Sequence, residues 1–155
     1  MGEQESSRRL SAVLIADIAG YTKLVEQDTE GTVSELKSVR ANVINPAISR
    51  LNGRIIKHTG DGFLAEFQSV QDAVDCAIEM QTGLRTNSLK FRMAVNLGDV
   101  IDDGEDIYGE GVNIAARLEA LAEPGGISIS GGVFDQVRNR VHANFEDLGE
   151  HEVKH

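Results

Sequence analysis

Apolar residues near the start of the chain form a short uninterrupted run. Residues 13–16 are valine, leucine, isoleucine and alanine, and the run ends at Asp17. A continuous apolar run of this length is typical of a strand that is buried on both faces. The pattern therefore predicts a first strand whose carboxyl end carries Asp17.

The following stretch has the period of a helix. From Thr32 onward, apolar residues recur three, four or seven positions apart, which are the spacings that place residues on one face of a helix. They are Val33, Leu36, Val43, Ala47 and Leu51. Thr32 and Glu35 have the spacing of a capping box at the amino end of this helix. Pro46 lacks an amide hydrogen, so we expect it to kink the helix or restart it.

A hairpin is predicted after Gly53. Two extended segments, 54–57 and 63–67, flank the sequence Thr-Gly-Asp-Gly at 59–62. Glycine at the first central position of a two-residue loop suits a type II′ turn. The pattern therefore places Asp61 at the tip of a tight hairpin.

The second half of the chain repeats this alternation of helix and strand. Ser69 and Asp72 predict the start of a helix with a buried apolar stripe. The further predicted elements are a strand at 91–97, an acidic turn at 102–104 returning through Ile107, a helix at 112–122, a strand at 127–130, a short helix, and a weaker β segment through Phe145 and Leu148. The order predicts an α+β fold, with a ferredoxin-like βαββαβ core, additional hairpins, and helices packed on one face of a mainly antiparallel sheet.

Composition narrows the classes of partner. The 155 residues include 15 Lys and Arg against 25 Asp and Glu, a formal net charge of −10. Such a surface repels a nucleic-acid backbone, so we expect no nucleic-acid partner. No apolar run approaches the roughly 20 residues that span a bilayer, and the single cysteine, Cys76, has no internal disulfide partner. We expect a cytoplasmic domain with no membrane segment, preceded by a flexible leader at residues 1–9.

Two aspartates are candidates for metal chemistry. If the first strand pairs beside the first hairpin, the carboxylates of Asp17 and Asp61 converge and repel each other. A pair of divalent cations would relieve that repulsion and attract a triphosphate. Because aspartate is common in turns, two unrelated loop residues are the competing interpretation. The glycines that flank Asp61 permit close approach of a phosphate, although a tight turn also requires them.

The helix that starts near residue 112 carries a second candidate pair. Asn113 and Arg117 are four positions apart and therefore project from one face, with Ile114, Leu118 and Leu121 expected on the buried face. Arginine can bind a phosphoryl oxygen and asparagine a sugar oxygen. A solvated arginine that pairs with Glu119 or Glu123 explains the spacing about as well.

Lys57 and Asp106 suit recognition of adenine. A lysine donates to a ring nitrogen, while a carboxylate accepts from the exocyclic amine. Guanine presents the opposite pattern on that edge, so these charges disfavour it. Taken singly, each residue has the character of an ordinary surface charge.

Three sequence blocks together resemble class III nucleotidyl cyclases. They are ADIAGYT at 16–22, KHTGDG at 57–62, and DIYG at 106–109 followed by VNIAAR at 112–117. The resemblance extends from about residue 10 to residue 154, and it implies one catalytic domain at 10–155 that lacks the family's final C-terminal strand.

The resemblance implies an adenylate cyclase, a phosphorus-oxygen lyase that converts ATP to 3′,5′-cyclic AMP and pyrophosphate. Two Mg²⁺ or Mn²⁺ ions would be held by Asp17, Asp61 and the backbone carbonyl of Ile18. The adenine would be bound by Lys57, Asp106 and Ile107 of the partner protomer in a head-to-tail homodimer.

The remaining roles also follow from the resemblance. Asn113 would orient the ribose and Arg117 would stabilise the charge of the reacting phosphate. Phosphate contacts would come from Lys154 and from three residues of the first block. These three are Gly20, Tyr21 and Thr22.

Two departures keep a second interpretation open. Asp99 occupies a place where many family members carry a phosphate-binding arginine, and the chain stops near Lys154, before a further strand. A non-catalytic nucleotide-binding or regulatory domain of the same fold is therefore the alternative. A guanylate cyclase is a third interpretation, which Lys57 and Asp106 disfavour.

Overall fold

The structure is a computed structural model that describes residues 7–141 and residue 145. Its strands are β1 (Ser7–Ile18), β2 (Arg54–His58), β3 (Gly62–Phe67), β4 (Phe91–Asp102), β5 (Ile107–Tyr108) and β6 (Ile127–Ile129). Its helices are α1 (Tyr21–Gln27), α2 (Thr29–Val39), α3 (Asn45–Arg50), α4 (Val70–Gly83), α5 (Glu110–Leu121) and α6 (Gly131–Val137), with a π-helical stretch, Arg40–Ile44, between α2 and α3.

Strand β1 lies at the centre of the sheet. The strand order is β2-β3-β1-β4-β5, and all of these neighbours are antiparallel. Strand β6 pairs in parallel with β4. Strands β1 to β4, with the helices between β1 and β2 and between β3 and β4, form a ferredoxin-like core. The predicted α+β class and mainly antiparallel sheet are thereby confirmed.

Strand β1 begins earlier than the sequence suggested. It starts at Ser7 and pairs with β4 from Ser7 opposite Asp102 to Ile18 opposite Phe91. Residues 7–9 are therefore strand, although we expected them in a flexible leader. The apolar pattern could not predict this part of the strand because its side chains are polar. Arg9 is held there by ion pairs with Glu66 and Asp102 rather than by burial.

Helix α5 lies on the opposite face of the sheet from the other helices. Alternate residues of β1, such as Leu14, face a main core that includes residues of α2, α3, α4 and α6. Val13 instead belongs to a smaller apolar cluster, against which Val112 of α5 packs. The prediction that the helices share one face is wrong for α5, because this second apolar surface also requires cover.

The amino end of α2 differs from the prediction. The cap is Asp28, whose carboxylate accepts from the amide of Gly31 at 3.0 Å. Thr32 is buried inside the helix and donates to the carbonyl oxygen of Leu24. The capping box expected at Thr32 and Glu35 is therefore wrong.

Two other local predictions are confirmed. The helical path widens to the π-helical stretch directly before α3, whose second residue is Pro46, as the missing proline amide requires. Ser69 caps α4 by accepting from the amide of Asp72 at 3.0 Å. The β segment expected through Leu148 lies outside the described residues except at Phe145, whose ring packs edge-on against Phe134 at 5.0 Å.

Glycine 62 permits the close approach of β3 to β1. A Cβ atom at this position would lie 1.8 Å from the carbonyl oxygen of Ala16. Gly60 has open space around it, and it is not among the described glycines with positive φ angles. The expected type II′ turn is therefore wrong, and the requirement for glycine at 62 comes from packing between strands.

We predict that Gly62→Ala destabilises the fold and that Gly60→Ala does not. The added methyl group at 62 must push β3 away from β1, which costs about 2 to 4 kcal/mol of unfolding free energy. At position 60 the change stays within about 0.5 kcal/mol. Urea unfolding of both variants and the parent measures the difference, and equal midpoints for the two variants would contradict this account.

Candidate active site

Strand pairing brings Asp17 and Asp61 together. Asp17 lies opposite Gly62 in the β1–β3 ladder, and the Ile18 amide donates to the Asp61 carbonyl oxygen at 2.9 Å. Both aspartates are half-buried, and the charges of both reach the carboxyl group of Glu119. The convergence expected from the sequence is therefore present in the structure.

The backbone carbonyl of Ile18 faces the same place. The N–H and C=O groups of one strand residue point toward the same neighbouring strand. Because the Ile18 amide bonds to Asp61, its carbonyl is also directed to the loop that carries Asp61. Two carboxylates and this carbonyl form a set of hard oxygen donors.

Glu119 is a third acidic residue at this place, and the sequence interpretation missed it. It is 7% exposed on α5, and its carboxyl group interacts with that of Asp17. Burial raises the pKa of Glu119 to about 8, and the hydrogen bond and charge of Asp17 act in the same direction, while Arg92 opposes them. Arg92 lies opposite Asp17 in the β1–β4 ladder.

The buried stripe of α5 is built from small residues and Glu119. It consists of Gly111, Ala115 and Glu119, spaced four apart. Ile114 and Leu118 are half-buried and Leu121 is 37% exposed, so the buried face predicted from these three is wrong. The spacing of four was readable in the sequence, but a carboxylate does not signal burial.

A close backbone contact fixes α5 against β4. A Cβ atom at Gly98 would lie 2.9 Å from the Cα atom of Gly111, so both positions require glycine at this separation. The buried side chain of Asn96 adds a hydrogen bond from its amide nitrogen to the Gly111 carbonyl oxygen at 3.0 Å. These contacts fix the position of the first turn of α5 against β4.

Asn113 and Arg117 lie on the exposed face of α5. Ala116 and Ala120 are exposed beside them, as the sequence suggested. Within the described part of the chain, Arg117 has no ion pair, so the pairing with Glu119 or Glu123 that we considered is absent there. A helix turns by about 100° per residue, so Arg117 is rotated about 200° from Glu119 and points away from Asp17.

Lys57 and Asp106 form an ion pair. The Lys57 Nζ donates to Asp106 Oδ2 at 2.9 Å, and Asp106 Oδ1 accepts from the Ile107 amide at 2.8 Å. Two strands separate β2 from β4 in the sheet, so the sheet must curl for this contact to form. The carboxylate of Asp103 accepts from the amides of Glu105 and Asp106, which shapes the turn that presents the pair.

A polar network joins four strands of the sheet. Both carboxylate oxygens of Glu66 are bonded: they accept from Arg9 at 2.7 Å, from Ser11 at 2.6 Å and from Arg54 at 2.8 Å. Arg9 also contacts Asp102 at 2.9 Å. Burial would raise the pKa of Glu66, but the hydroxyl and guanidinium donors outweigh burial and lower the pKa.

The other positions considered for phosphate binding lie at the start of α1, on β4, or outside the described residues. Gly20, with φ of 68°, caps the start of α1, which Tyr21 and Thr22 begin. Asp99 is exposed and lies opposite Leu10, seven residues along β1 from Asp17. Lys154 lies outside the described residues. Among the described residues of this group, none adds a cation next to Asp17.

The donor set is compatible with divalent metal ions that also bind phosphate. No group of three or more His, Cys, Asp or Glu side chains in the described ranges has the arrangement of a metal site. Mg²⁺ typically takes one or two protein carboxylates and completes its shell with water and substrate phosphates. Asp17, Asp61 and the Ile18 carbonyl fit that pattern.

Comparison with known proteins identifies the family. The profile of the family described as the adenylate and guanylate cyclase catalytic domain matches residues 4–155. The chain belongs to this family. The class III cyclase family inferred from the three sequence blocks is thereby confirmed.

Similar proteins agree with this cyclase assignment. Putative adenylate cyclase 3 of Rhizobium meliloti is 41% identical over 162 residues, covering 99% of this chain and 28% of that protein. An adenylate cyclase of Glutamicibacter nicotianae is 33% identical over 130 residues, covering 83% of this chain and 32% of that protein. The cyclase domain therefore spans about a third or less of these relatives.

Solved cyclase structures share the fold. The adenylate/guanylate cyclase/hydrolase from Silicibacter pomeroyi has a TM-score of 0.90 and 40% identity, covering 97% of this chain and 92% of that chain. The adenylyl cyclase CyaB from P. aeruginosa has a TM-score of 0.76 and 26% identity, covering 88% and 84%. Cyclase domains of this family use divalent metal ions. Of the helices described in this cyclase domain, none has the length and apolarity to cross a membrane.

We predict that Glu66 makes the cyclase domain acid-sensitive. A carboxyl group whose pKa is lowered on folding stabilises the fold above its unfolded pKa, and this contribution is lost as the pH falls through the folded pKa. Glu66→Gln should therefore cost about 1.5 to 3 kcal/mol at pH 7, and the difference from the parent should shrink below about pH 4.

Urea unfolding at a series of pH values from 7 to 3 measures this difference. Glu26→Gln, which changes an exposed carboxylate on α1, is the matched control and should track the parent throughout. A cost for Glu66→Gln that is independent of pH would contradict the assignment.

Proposed function

We propose that this cyclase domain is an adenylate cyclase that forms 3′,5′-cyclic AMP and pyrophosphate from ATP in a homodimer. The observation that carries the proposal is the division of residues on α5. Asp17 and Asp61, the candidate metal ligands, lie near Glu119, which is on the buried face of α5. Asn113 and Arg117 lie on the exposed face of the same helix. One protomer thus has both halves of a site, but the halves face different directions.

A head-to-tail dimer joins these halves. Asn113 and Arg117 of one protomer face the Asp17 and Asp61 of its partner, and the symmetry operation creates two such sites. Exposed alanines at 116 and 120 allow close approach along this face of α5. The guanidinium of Arg117, which has no ion pair in the described ranges, is then available for a phosphate, and its positive charge complements the negative charge of a triphosphate.

The reaction is an in-line displacement at the α-phosphorus. The ribose 3′-hydroxyl gives up its proton to water, and its oxygen bonds to the α-phosphorus while the bond between this phosphorus and the bridging oxygen breaks and pyrophosphate leaves with that oxygen. Asn113 orients the ribose so that the oxygen is aligned, and Arg117 offsets the negative charge that develops on the phosphate. Asp17, Asp61 and the Ile18 carbonyl would hold two Mg²⁺ or Mn²⁺ ions, which would supply positive charge at the 3′-oxygen and the phosphates.

Lys57, Asp106 and Ile107 select adenine in this proposal. An exposed ion pair contributes little to stability, so its exchange for contacts to a base costs little. Lys57 donates to a ring nitrogen and Asp106 accepts from the amine, while the Ile107 amide holds the Asp106 carboxylate in place. Phosphate contacts from Gly20, Tyr21, Thr22 and Lys154 remain a prediction.

The first test is complementation between two inactive variants. Asp17→Ala and Arg117→Ala should each lower cyclic AMP formation by about 100- to 1,000-fold. An equimolar mixture should recover about a quarter of parental activity, because half of the randomly paired dimers are mixed and each of these has one intact site.

Cyclic AMP is measured at several protein concentrations, with either Mg²⁺ or Mn²⁺. Activity per molecule should rise with concentration as dimers form. Recovery absent from a well-folded mixture would contradict the shared site. ATP binding without turnover by the parent protein would instead support the non-catalytic nucleotide-binding alternative.

A second test exchanges the base contacts. Lys57→Glu combined with Asp106→Asn places an acceptor where guanine has a ring N–H and a donor where it has a carbonyl oxygen. We expect the ratio of kcat/KM for ATP to that for GTP to fall by about 100-fold or more. Lys37→Gln, which makes an equal net charge change on the exposed side of α2, should leave the ratio unchanged. Preference for GTP by the parent protein would favour the guanylate cyclase alternative.

A further inference from the structure

We propose that Arg40 is a positioning residue that holds the hairpin loop carrying Asp61 from the main-core side of the sheet. The inference rests on the proposed function, because it assigns a support to a candidate metal ligand of that site. It also gives a role to the π-helical stretch between α2 and α3, in which Arg40 is the first residue.

The loop at residues 59–61 is fixed on one side by backbone bonds. The Thr59 amide donates to the Gly62 carbonyl oxygen at 2.9 Å, and the Asp61 carbonyl oxygen accepts from Ile18 at 2.9 Å. These two bonds close the loop and join it to β1. Thr59 and Gly60 are exposed, and a Cβ atom at Gly60 would have no neighbour within 4 Å. The outer side of the loop therefore has little packing that would oppose a movement.

Arg40 contacts this loop from the side of the helices. Its Nη2 donates to the Thr59 carbonyl oxygen at 3.0 Å. Burial lowers the pKa of the neighbouring His58 imidazole, and the positive charge of Arg40 lowers it further. Both observations place the guanidinium beside the hairpin, two residues before Asp61.

The backbone of Arg40 is itself held by the core. Val39 is 2% exposed, and Ile44, at the end of the π-helical stretch, is 1% exposed. The Arg40 amide donates to the Leu36 carbonyl oxygen, and the Arg40 carbonyl oxygen accepts from the Asn45 amide in a wide π-helical turn. Single π-helical turns inside helices are frequent at functional sites. The core thus supplies a fixed point from which the Arg40 side chain reaches the loop.

The charges of the candidate metal ligands explain why the loop needs this contact. Without a cation the carboxylates of Asp17 and Asp61 repel each other, and an unsupported loop can relieve the repulsion by moving outward. The bond from Arg40 opposes that movement, so less order is lost to binding when a cation arrives. Groups that orient a metal ligand from behind typically change metal affinity or activity by about 10- to 100-fold. Because Arg40 acts through the backbone, we expect the lower end of this range.

The direct test is Mn²⁺ binding, followed by the electron paramagnetic resonance signal of the free ion. Arg40→Met has no donor and should raise the Kd for Mn²⁺ by about 10-fold, whereas Arg40→Lys keeps charge and donors and should stay within about threefold of the parent. Lys37→Met, the same loss of charge at an exposed position one turn earlier on α2, should match the parent. Asp61→Ala sets the value for a site that has lost its ligand. Equal Kd values for Arg40→Met and the parent would overturn the inference, even if cyclic AMP is formed.

Amide hydrogen exchange in the metal-free protein tests the support of the loop without reference to activity. The amides of Ile18 and Thr59, which take part in the loop bonds, should exchange about fivefold faster in Arg40→Met. The amide of Met80, in the buried part of α4, should keep its parental rate. Equal acceleration at all three amides would mean that Arg40 contributes only to global stability, and the inference would fail while the proposed function stood.

Mixed dimers test which site Arg40 supports. One protomer carries Arg117→Ala and keeps both aspartates; the other carries Asp17→Ala and keeps Arg117. Arg40→Met should raise the Mn²⁺ concentration for half-maximal activity only when it is added to the protomer that keeps both aspartates. An equal effect in either protomer would contradict a local role for Arg40. Absence of saturable Mn²⁺ binding by the parent would overturn this inference and the proposed function together.

Discussion

The backbone contact between Gly62 and Ala16 determines where the candidate metal site is formed. Because no side chain separates the two strands, β3 lies directly against the end of β1. Asp17 and Asp61 are far apart in the chain, yet they meet because the pairing of β1 with β3 continues to the carboxyl end of β1. A larger residue at 62 would move the hairpin that carries Asp61 and with it the geometry of the site.

Much of the fold could be predicted from the sequence because its elements follow simple periods. The apolar run before Asp17 and the cap at Ser69 were sufficient for β1 and α4. The start of β1 could not be predicted, since its first residues are stabilised by ion pairs between distant parts of the chain. The cap of α2 was also missed, because Thr32 matched a local motif while Asp28 made the actual hydrogen bond.

The candidate site was predictable to the extent that its residues stand in sequence blocks. Asp17 and Asp61 converge, and Lys57 meets Asp106 at 2.9 Å, although the curl of the sheet that joins the latter two cannot be read from periodicity. Glu119 was taken for a surface charge, because burial of a carboxyl group depends on a partner that tertiary structure supplies. Its partner is Asp17, a residue of the opposite end of the domain's sequence.

The tight seating of α5 has a consequence for control of such a domain. Because the backbones of Gly98 and Gly111 are in direct contact, α5 cannot slide or tilt on β4 without disrupting the packing of the domain. Under the proposed assembly, a signal that controls the domain would have to change the mutual orientation of two otherwise unaltered protomers. A rotation of a few degrees would withdraw the arginine of one from the aspartates of the other, and switching would then require no rearrangement within either chain.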